Sequence, residues 1–323
     1  MKALVQEKYG ECSFADVPMP VAGPDQVLVR VRAASVNAYD WHVLRGDPRL
    51  ARLSMGLTRP RARIRGRDFA GQVVSAGSSV TRFRAGDEVF GDTGTADGTF
   101  AEFVAVPQDL VAHRPAGVPP EAAAALPLAG VTALQALRDV RPGHRVLING
   151  ASGGVGTFAV QLAVASGATV TAVCSARNAE LVRSLGASAV IDYRQADFTA
   201  GGERYDIVLD LVGNRSLAAL RALLTPGGTL VLSGGGVYQG GSVLGPMRLI
   251  LRAQLASRFA RQRITVLTAT TSRESLTALA EMAETGRITV AIDRTFPLSA
   301  AADAIRYLET EHARAKVVVT AER

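Results

Sequence analysis

The sequence of 323 residues predicts an α/β protein in two parts, a β-rich domain and a doubly wound parallel sheet. Three observations carry this. Residues 145–178 read as strand, glycine-rich loop, helix and second strand; the segments that follow keep alternating helix and strand; and residues 1–118 are short β-rich runs punctuated by glycine and proline.

The central unit opens with Val146-Leu147-Ile148 and breaks into Gly150-Ala151-Ser152-Gly153-Gly154-Val155-Gly156. Val155, Phe158, Leu162 and Ala163 then recur at helical spacing until Gly167, and Thr169-Val170-Thr171-Ala172-Val173 supplies the next strand. Ala151-x-Gly153-x-x-Gly156 is a dinucleotide fingerprint with alanine in the first glycine slot. Gly153 admits backbone close to a pyrophosphate, Gly156 lets helix pack on strand, and the first amides of the helix hold the diphosphate. NAD-binding folds place an acid on the ribose about 20 residues beyond these glycines. Here Ser175 stands 19 residues after Gly156, in Cys174-Ser175-Ala176-Arg177-Asn178, and no Asp or Glu appears before Glu180. Arg177 can pair with a 2′-phosphate instead, a charge-assisted bond contributing roughly 1.5 to 3 kcal/mol, so the sequence predicts a preference for NADP.

In chain order, residues 27–33, 72–74 and 101–106 are strands of a compact barrel-like domain. Between them, the polar and aromatic cluster Ser35-Val36-Asn37-Ala38-Tyr39-Asp40-Trp41-His42 leads into a loop rich in Arg, Gly and Pro that reaches Arg65. Residues 119–140 are alanine-rich and helical, interrupted by Pro127 and Gly130. Further strands at 189–193, 206–210, 229–232 and 263–267 complete six parallel strands, with ligand expected at their carboxyl ends. Residues 234–263 break the alternation: a glycine-rich loop precedes a helix-like stretch from Met247 to Arg261. Its Arg248, Arg252, Arg258 and Arg261 suit a packed surface helix, a membrane-surface contact, a substrate cover or a subunit contact. From Ser272 come a helix, an extended run at 294–298, another helix and a last strand at 316–320 that returns to the first domain.

Composition bounds the partners. With 48% hydrophobic and 20% charged residues the chain suits a soluble globular protein with two cores. The net charge of +7 is dispersed arginine, the lysines being Lys2, Lys8 and Lys316, and no basic block with interleaved aromatics marks a nucleic-acid partner. Cys12 and Cys174 are too few for a disulfide framework or a four-cysteine zinc lobe, and apolar stretches are short or interrupted by charge. The expectation is a cytoplasmic protein with no transmembrane segment.

The ordered motifs Val36-Asn37-Ala38-Tyr39-Asp40-Trp41, Gly66-Arg67-Asp68-Phe69-Ala70-Gly71, Ala85-Gly86-Asp87-Glu88-Val89-Phe90-Gly91, Gly98-Thr99-Phe100-Ala101-Glu102-Phe103 and His312-Ala313-Arg314-Ala315-Lys316-Val317-Val318, with the glycine loop, resemble the medium-chain dehydrogenase/reductase superfamily over essentially the whole chain. The resemblance is to its zinc-free, quinone oxidoreductase-like branch. It implies a GroES-like β-rich catalytic domain built from residues 1–121 and 269–323, a Rossmann domain at 122–268 and a homodimer joined through the edge of the nucleotide-binding sheet. Where zinc relatives carry their first cysteine and Gly-His-Glu, this chain has the region from Asn37 to Asp40 and Gly66-Arg67-Asp68, and its four histidines are scattered. No metal is therefore expected.

The activity implied is transfer of hydride from NADPH to a small-molecule quinone or enone. Alternatives are an NAD(P)-dependent alcohol or aldehyde dehydrogenase, and an NADPH-binding protein acting by partner docking or redox sensing. In related enone reductases an Asn-Pro-x-Asp-x-Lys segment reaches the reacting centre. That places Asn37, Asp40 and His42 there, with Ala38 replacing proline and His42 replacing lysine, and His42 as a candidate donor to the carbonyl oxygen. For the cofactor the resemblance adds Thr132, Tyr193, Val212, Gly213, Ser233 and Gly234 to the loop residues Ser152, Gly153, Gly154, Val155 and Gly156 and to Ser175, Arg177 and Asn178. Arg314 and Lys316 are expected either to reach a phosphate or to form a basic surface turn.

Overall fold

The computed structural model describes residues 1–233, 249, 253, 261–311 and 313–321. Two compact units divide them, one of residues 1–131 with 270–323 and one of residues 132–269.

The first unit is built on the strand Gln26–Val36, whose apolar residues Val27, Val29 and Val31 are buried. It pairs antiparallel with Asp68–Ala76, Phe103–Pro107 and the C-terminal strand Lys316–Thr320. Ile292–Pro297 adds to the C-terminal strand in parallel, while Glu88–Asp92 and Val111–His113 extend the other side. The core joins Val29, Val31, Phe69, Val104 and Val317 with Ala304 and Ile305 of the helix Ala301–Thr310. Burying each large aliphatic side chain here contributes roughly 1.5 to 3 kcal/mol.

Register matters more to function than the core does. Val317 lies opposite Val36, Ser35 opposite Asp68, and Asp68 opposite Asp92. Four strand ends therefore meet in one row. The polar and aromatic cluster after Val36 forms the helix Ala38–Arg45: the Asp40 carboxylate accepts from the Asn37 backbone amide at 2.7 Å, and Gly46 ends the helix at φ 60°.

The second unit is a six-stranded, fully parallel sheet in the order Ala189–Asp192, Thr169–Cys174, Arg145–Asn149, Tyr205–Asp210, Leu224–Leu232, Arg263–Val266. The strand order reverses beside Arg145–Asn149, where doubly wound sheets bind ligands. Leu147, Val173, Val208 and Leu230 are buried together, as strands covered on both faces require.

Residues 119–140 form the helices Pro120–Ala124 and Pro127–Ala136, so the break falls before Pro127 and the second helix runs through Gly130. That glycine serves close packing: a Cβ there would lie 2.8 Å from Leu279 Cδ2. Of the stretch from Met247 to Arg261, most lies outside the described residues.

Candidate active site and nucleotide-binding loop

In the first unit the row of strand ends assembles a buried polar cluster. Asp68, at the start of its strand, accepts from Ser35 Oγ at 2.9 Å, Asn37 Nδ2 at 2.9 Å and Leu128 N at 3.1 Å. Lys316, only 2% exposed, donates to Asn37 Oδ1 at 2.7 Å and the Val36 carbonyl at 3.3 Å, with its ammonium 3.6 Å from Asp68. Burial pushes Asp68 up from its ordinary carboxylate value and Lys316 down from its ordinary amine value, while the attraction between them works the other way on each. The donors gathered on Asp68 favour its ionised form.

Asn37 is thereby engaged at both ends of its amide. Its part is to link three chain segments. Asp40, beside it, is 1% exposed and leaves Oδ1 without a partner; burial, reinforced by Asp97 and Asp68, raises its pKa to about 7.

A second layer was not singled out from the sequence. Asp97, with a left-handed φ of 55°, pairs with the fully buried Arg65 at 3.1 Å, and burial raises its pKa to about 6. Asp92 holds Arg67 through Nε at 3.0 Å and Nη2 at 2.9 Å, and accepts from Thr271 Oγ1 at 2.6 Å. Gly66-Arg67-Asp68 is visible as a motif, but Asp92 and Thr271 are 179 residues apart and no local pattern joins them.

Two expectations are corrected here. His42 is not brought to the cluster: Asp40 and His42 are two positions apart on one helix, about 200° around its axis. Its Nδ1 lies 2.8 Å from the Asp47 carbonyl, its ring stacks on Trp41, and burial lowers its pKa. Lys316 is not on a basic surface turn, because strand pairing turns it into the buried cluster, whereas the exposed Arg314 pairs with Asp293 at 3.2 Å.

In the second unit the glycine loop has the form a diphosphate needs. Gly150 turns at φ 88°, a backbone region that suits glycine, and a Cβ on Gly156 would fall 2.2 Å from the Gly150 carbonyl oxygen. Gly153 caps the helix Gly154–Ala165 without a side chain, leaving the first-turn amides at Gly154, Val155 and Gly156 open to a ligand. Asn178 Nδ2 donates to Ser152 Oγ at 2.9 Å and so ties the turn Ala176–Asn178 to the loop. Arg177 is exposed on that turn and Ser175 is buried beneath it. Tyr193, at the end of the neighbouring strand, donates its amide to the Cys174 carbonyl and is 39% exposed.

At the switch point Asp210 Oδ1 accepts from Asn149 Nδ2 at 2.8 Å and from the amides of Val212 and Gly213 at 3.1 Å each. Ser233 donates its amide to the Asp210 carbonyl at 3.0 Å, Thr132 is buried in the helix Pro127–Ala136, and Gly234 lies outside the described residues.

Residues 23–116 match the alcohol dehydrogenase GroES-like domain, and residues 185–319 match the family described as zinc-binding dehydrogenase. The chloroplastic quinone-oxidoreductase QR1 of Triphysaria versicolor is 32% identical over 336 residues, which cover 99% of this chain and 98% of that protein. The chloroplastic NADPH-dependent alkenal/one oxidoreductase of Arabidopsis thaliana is also 32% identical, over 99% of this chain and 79% of its own length. The solved structure of the quinone oxidoreductase from Coxiella burnetii matches with a TM-score of 0.85 at 32% identity, over 100% of this chain and 99% of that one.

A catalytic zinc takes three protein ligands and keeps one position open. The cluster does not fit one. Asp68 and Asp92 are each paired with a cation, an arginine stands at position 67, and among the described residues no group of three His, Cys, Asp or Glu is placed to hold a metal.

Proposed function

Because the chain belongs to the medium-chain dehydrogenase/reductase superfamily, in its quinone oxidoreductase-like branch, we propose that it reduces quinones or α,β-unsaturated carbonyl compounds with NADPH and without zinc. It is an oxidoreductase that uses NADP(H). The observation that best supports the finer reading is that arginine and lysine occupy the polar cluster of a chain that also carries a dinucleotide loop.

NADPH, when bound, supplies a hydride to the β-carbon of an enone or to a quinone. The chain's own residues bind and orient. Amides of residues 154–156 hold the diphosphate, Arg177 pairs with the 2′-phosphate, and Ser152, Ser175, Asn178 and Tyr193 line the adenosine side. Thr132, Val212, Gly213, Ser233 and Gly234 complete the nucleotide site in this reading. Asn37, Asp40 and Lys316 are positioning residues: they fix the start of the helix Ala38–Arg45 against the strand Asp68–Ala76. Without a Lewis acid to stabilise an alkoxide, reduction of a conjugated carbonyl is favoured over oxidation of a simple alcohol.

The working form in this reading is a homodimer in the cytoplasm, paired through an edge of the parallel sheet. Among the described residues no helix is long and apolar enough to cross a membrane.

The test is NADPH oxidation followed at the nicotinamide absorbance with a panel of quinones and acyclic enones, with and without a zinc chelator. Chelator-insensitive turnover that prefers NADPH is the expected result. Tight NADPH binding with no turnover of any acceptor overturns the proposal.

A further inference from the structure

Arg67 immediately precedes the strand Asp68–Ala76, and its guanidinium is held side-on by Asp92 through Nε and Nη2. The receiving carboxylate is itself immobilised. Asp92 is fully buried and also accepts from Gly94 N at 2.8 Å and Thr271 Oγ1 at 2.6 Å. The guanidinium carbon lies 5.0 Å from the centre of the Tyr39 ring. A bidentate pair of this kind fixes the plane of the fork, and with it the direction of every N–H that the pair leaves unengaged.

Nη1 is left unengaged. It donates to nothing among the described residues, and it is not one of the buried polar atoms that lack a partner, so the end of the fork away from Asp92 is open. The side chain keeps 12% of its surface exposed. This differs from Arg65, whose neighbouring guanidinium is closed inside the protein with Asp97. Asp92 offsets the charge of Arg67 at rest, so the site does not demand a bound anion. Oriented donors with little left to reorganise are what stabilises negative charge that appears only during a reaction.

We infer that Arg67 is a catalytic residue whose Nη1 end donates to the carbonyl oxygen of the quinone or enone and stabilises the oxyanion formed as the acceptor is reduced. The inference rests on the reductase reading and names the group that faces the reacting oxygen. As hydride from NADPH forms the new C–H bond at the β-carbon of an enone, the C=C pair shifts to make a new C=C and the C=O pair moves to oxygen. The product is an enolate oxygen hydrogen-bonded to Arg67. Arginine keeps its own protons at any working pH, and water then supplies the one proton that completes the reduction.

The experiment uses the full chain with NADP+ bound and 4-nitrophenol as the probe, titrated by absorbance between pH 5 and 9. Phenolate binding at least about tenfold tighter than phenol binding, read as a downward shift of the bound probe's pKa, is expected for wild type. Arg67→Lys keeps a charge beside Asp92 and loses the planar fork. It should bind NADPH as wild type does, lose the preference for phenolate, and turn over quinone about a hundredfold more slowly with KM little changed. Arg67→Gln, which can still bond Asp92, is the second variant should the lysine protein fail to fold. A folded variant that retains the wild-type phenolate preference overturns the assignment, as does a wild-type protein that shows none. Failure of the reductase reading looks different: the phenolate preference persists while no acceptor is reduced.

Discussion

The Lys316 ammonium lies 2.7 Å from Asn37 Oδ1, so a residue of the last strand holds the side chain that begins the first helix. Both are buried, and the Asp68 carboxylate completes the triangle, 3.6 Å from Lys316 and 2.9 Å from Asn37 Nδ2. Removing one partner from such a pair leaves a buried charge uncompensated. Lys316→Met should destabilise the protein by about 3 to 5 kcal/mol, and adding Asp68→Asn should recover part of that loss. Denaturant unfolding of the two single variants and the double variant measures it; strictly additive losses would show that the pair is not coupled.

Asp40 predicts an unusual pH dependence. Its folded pKa of about 7 lies above the ordinary aspartate value of 3.8, so the folded state holds the proton more tightly than the unfolded state. Its contribution to stability is fully present below the unfolded value and is lost as pH rises through about 7. Asp40→Asn, which keeps an oxygen to accept from the Asn37 amide, should therefore gain stability over wild type at pH 8 by an amount on the order of 1 to 3 kcal/mol and show a flatter profile between pH 4 and 8. Melting temperatures across that range test this, with Asp97, Asp68, Arg65 and Lys316 the charged groups that interact with Asp40.

His42→Ala should leave turnover near wild type, since the imidazole is held by the Asp47 carbonyl and stacked on Trp41. The expected cost is about 1 kcal/mol of stability from the lost hydrogen bond. A large fall in kcat with unchanged melting would instead return His42 to the chemistry.

Arg177→Ala should weaken NADPH binding about ten- to a hundredfold and leave NADH binding nearly unchanged. Equal losses for the two nucleotides, by fluorescence titration, would remove Arg177 from the 2′-phosphate.

Gly156→Ala places a methyl group 2.2 Å from the Gly150 carbonyl oxygen, closer than any relaxed contact. The loop must move. Loss of NADPH binding together with about 1 to 3 kcal/mol of stability is expected, and calorimetry reads both.

What the sequence determined by itself is local. The strand, loop and helix at 145–165 are set by a short continuous apolar run, by apolar residues recurring at helical spacing after it, and by glycines whose need is visible within one turn. The missing acid after the strand Thr169–Cys174 is legible for the same reason. Only the tertiary structure decided the polar cluster. Ser35, Asp68, Asp92, Thr271 and Lys316 are distant along the chain, and strand register together with burial brings them within hydrogen-bonding reach. The phase of the helix Ala38–Arg45 likewise separates His42 from Asp40, which adjacency in the sequence had placed together. Periodicity reports which face a residue occupies. Which residue of another segment meets it there depends on pairing between strands, and no window of sequence contains both partners.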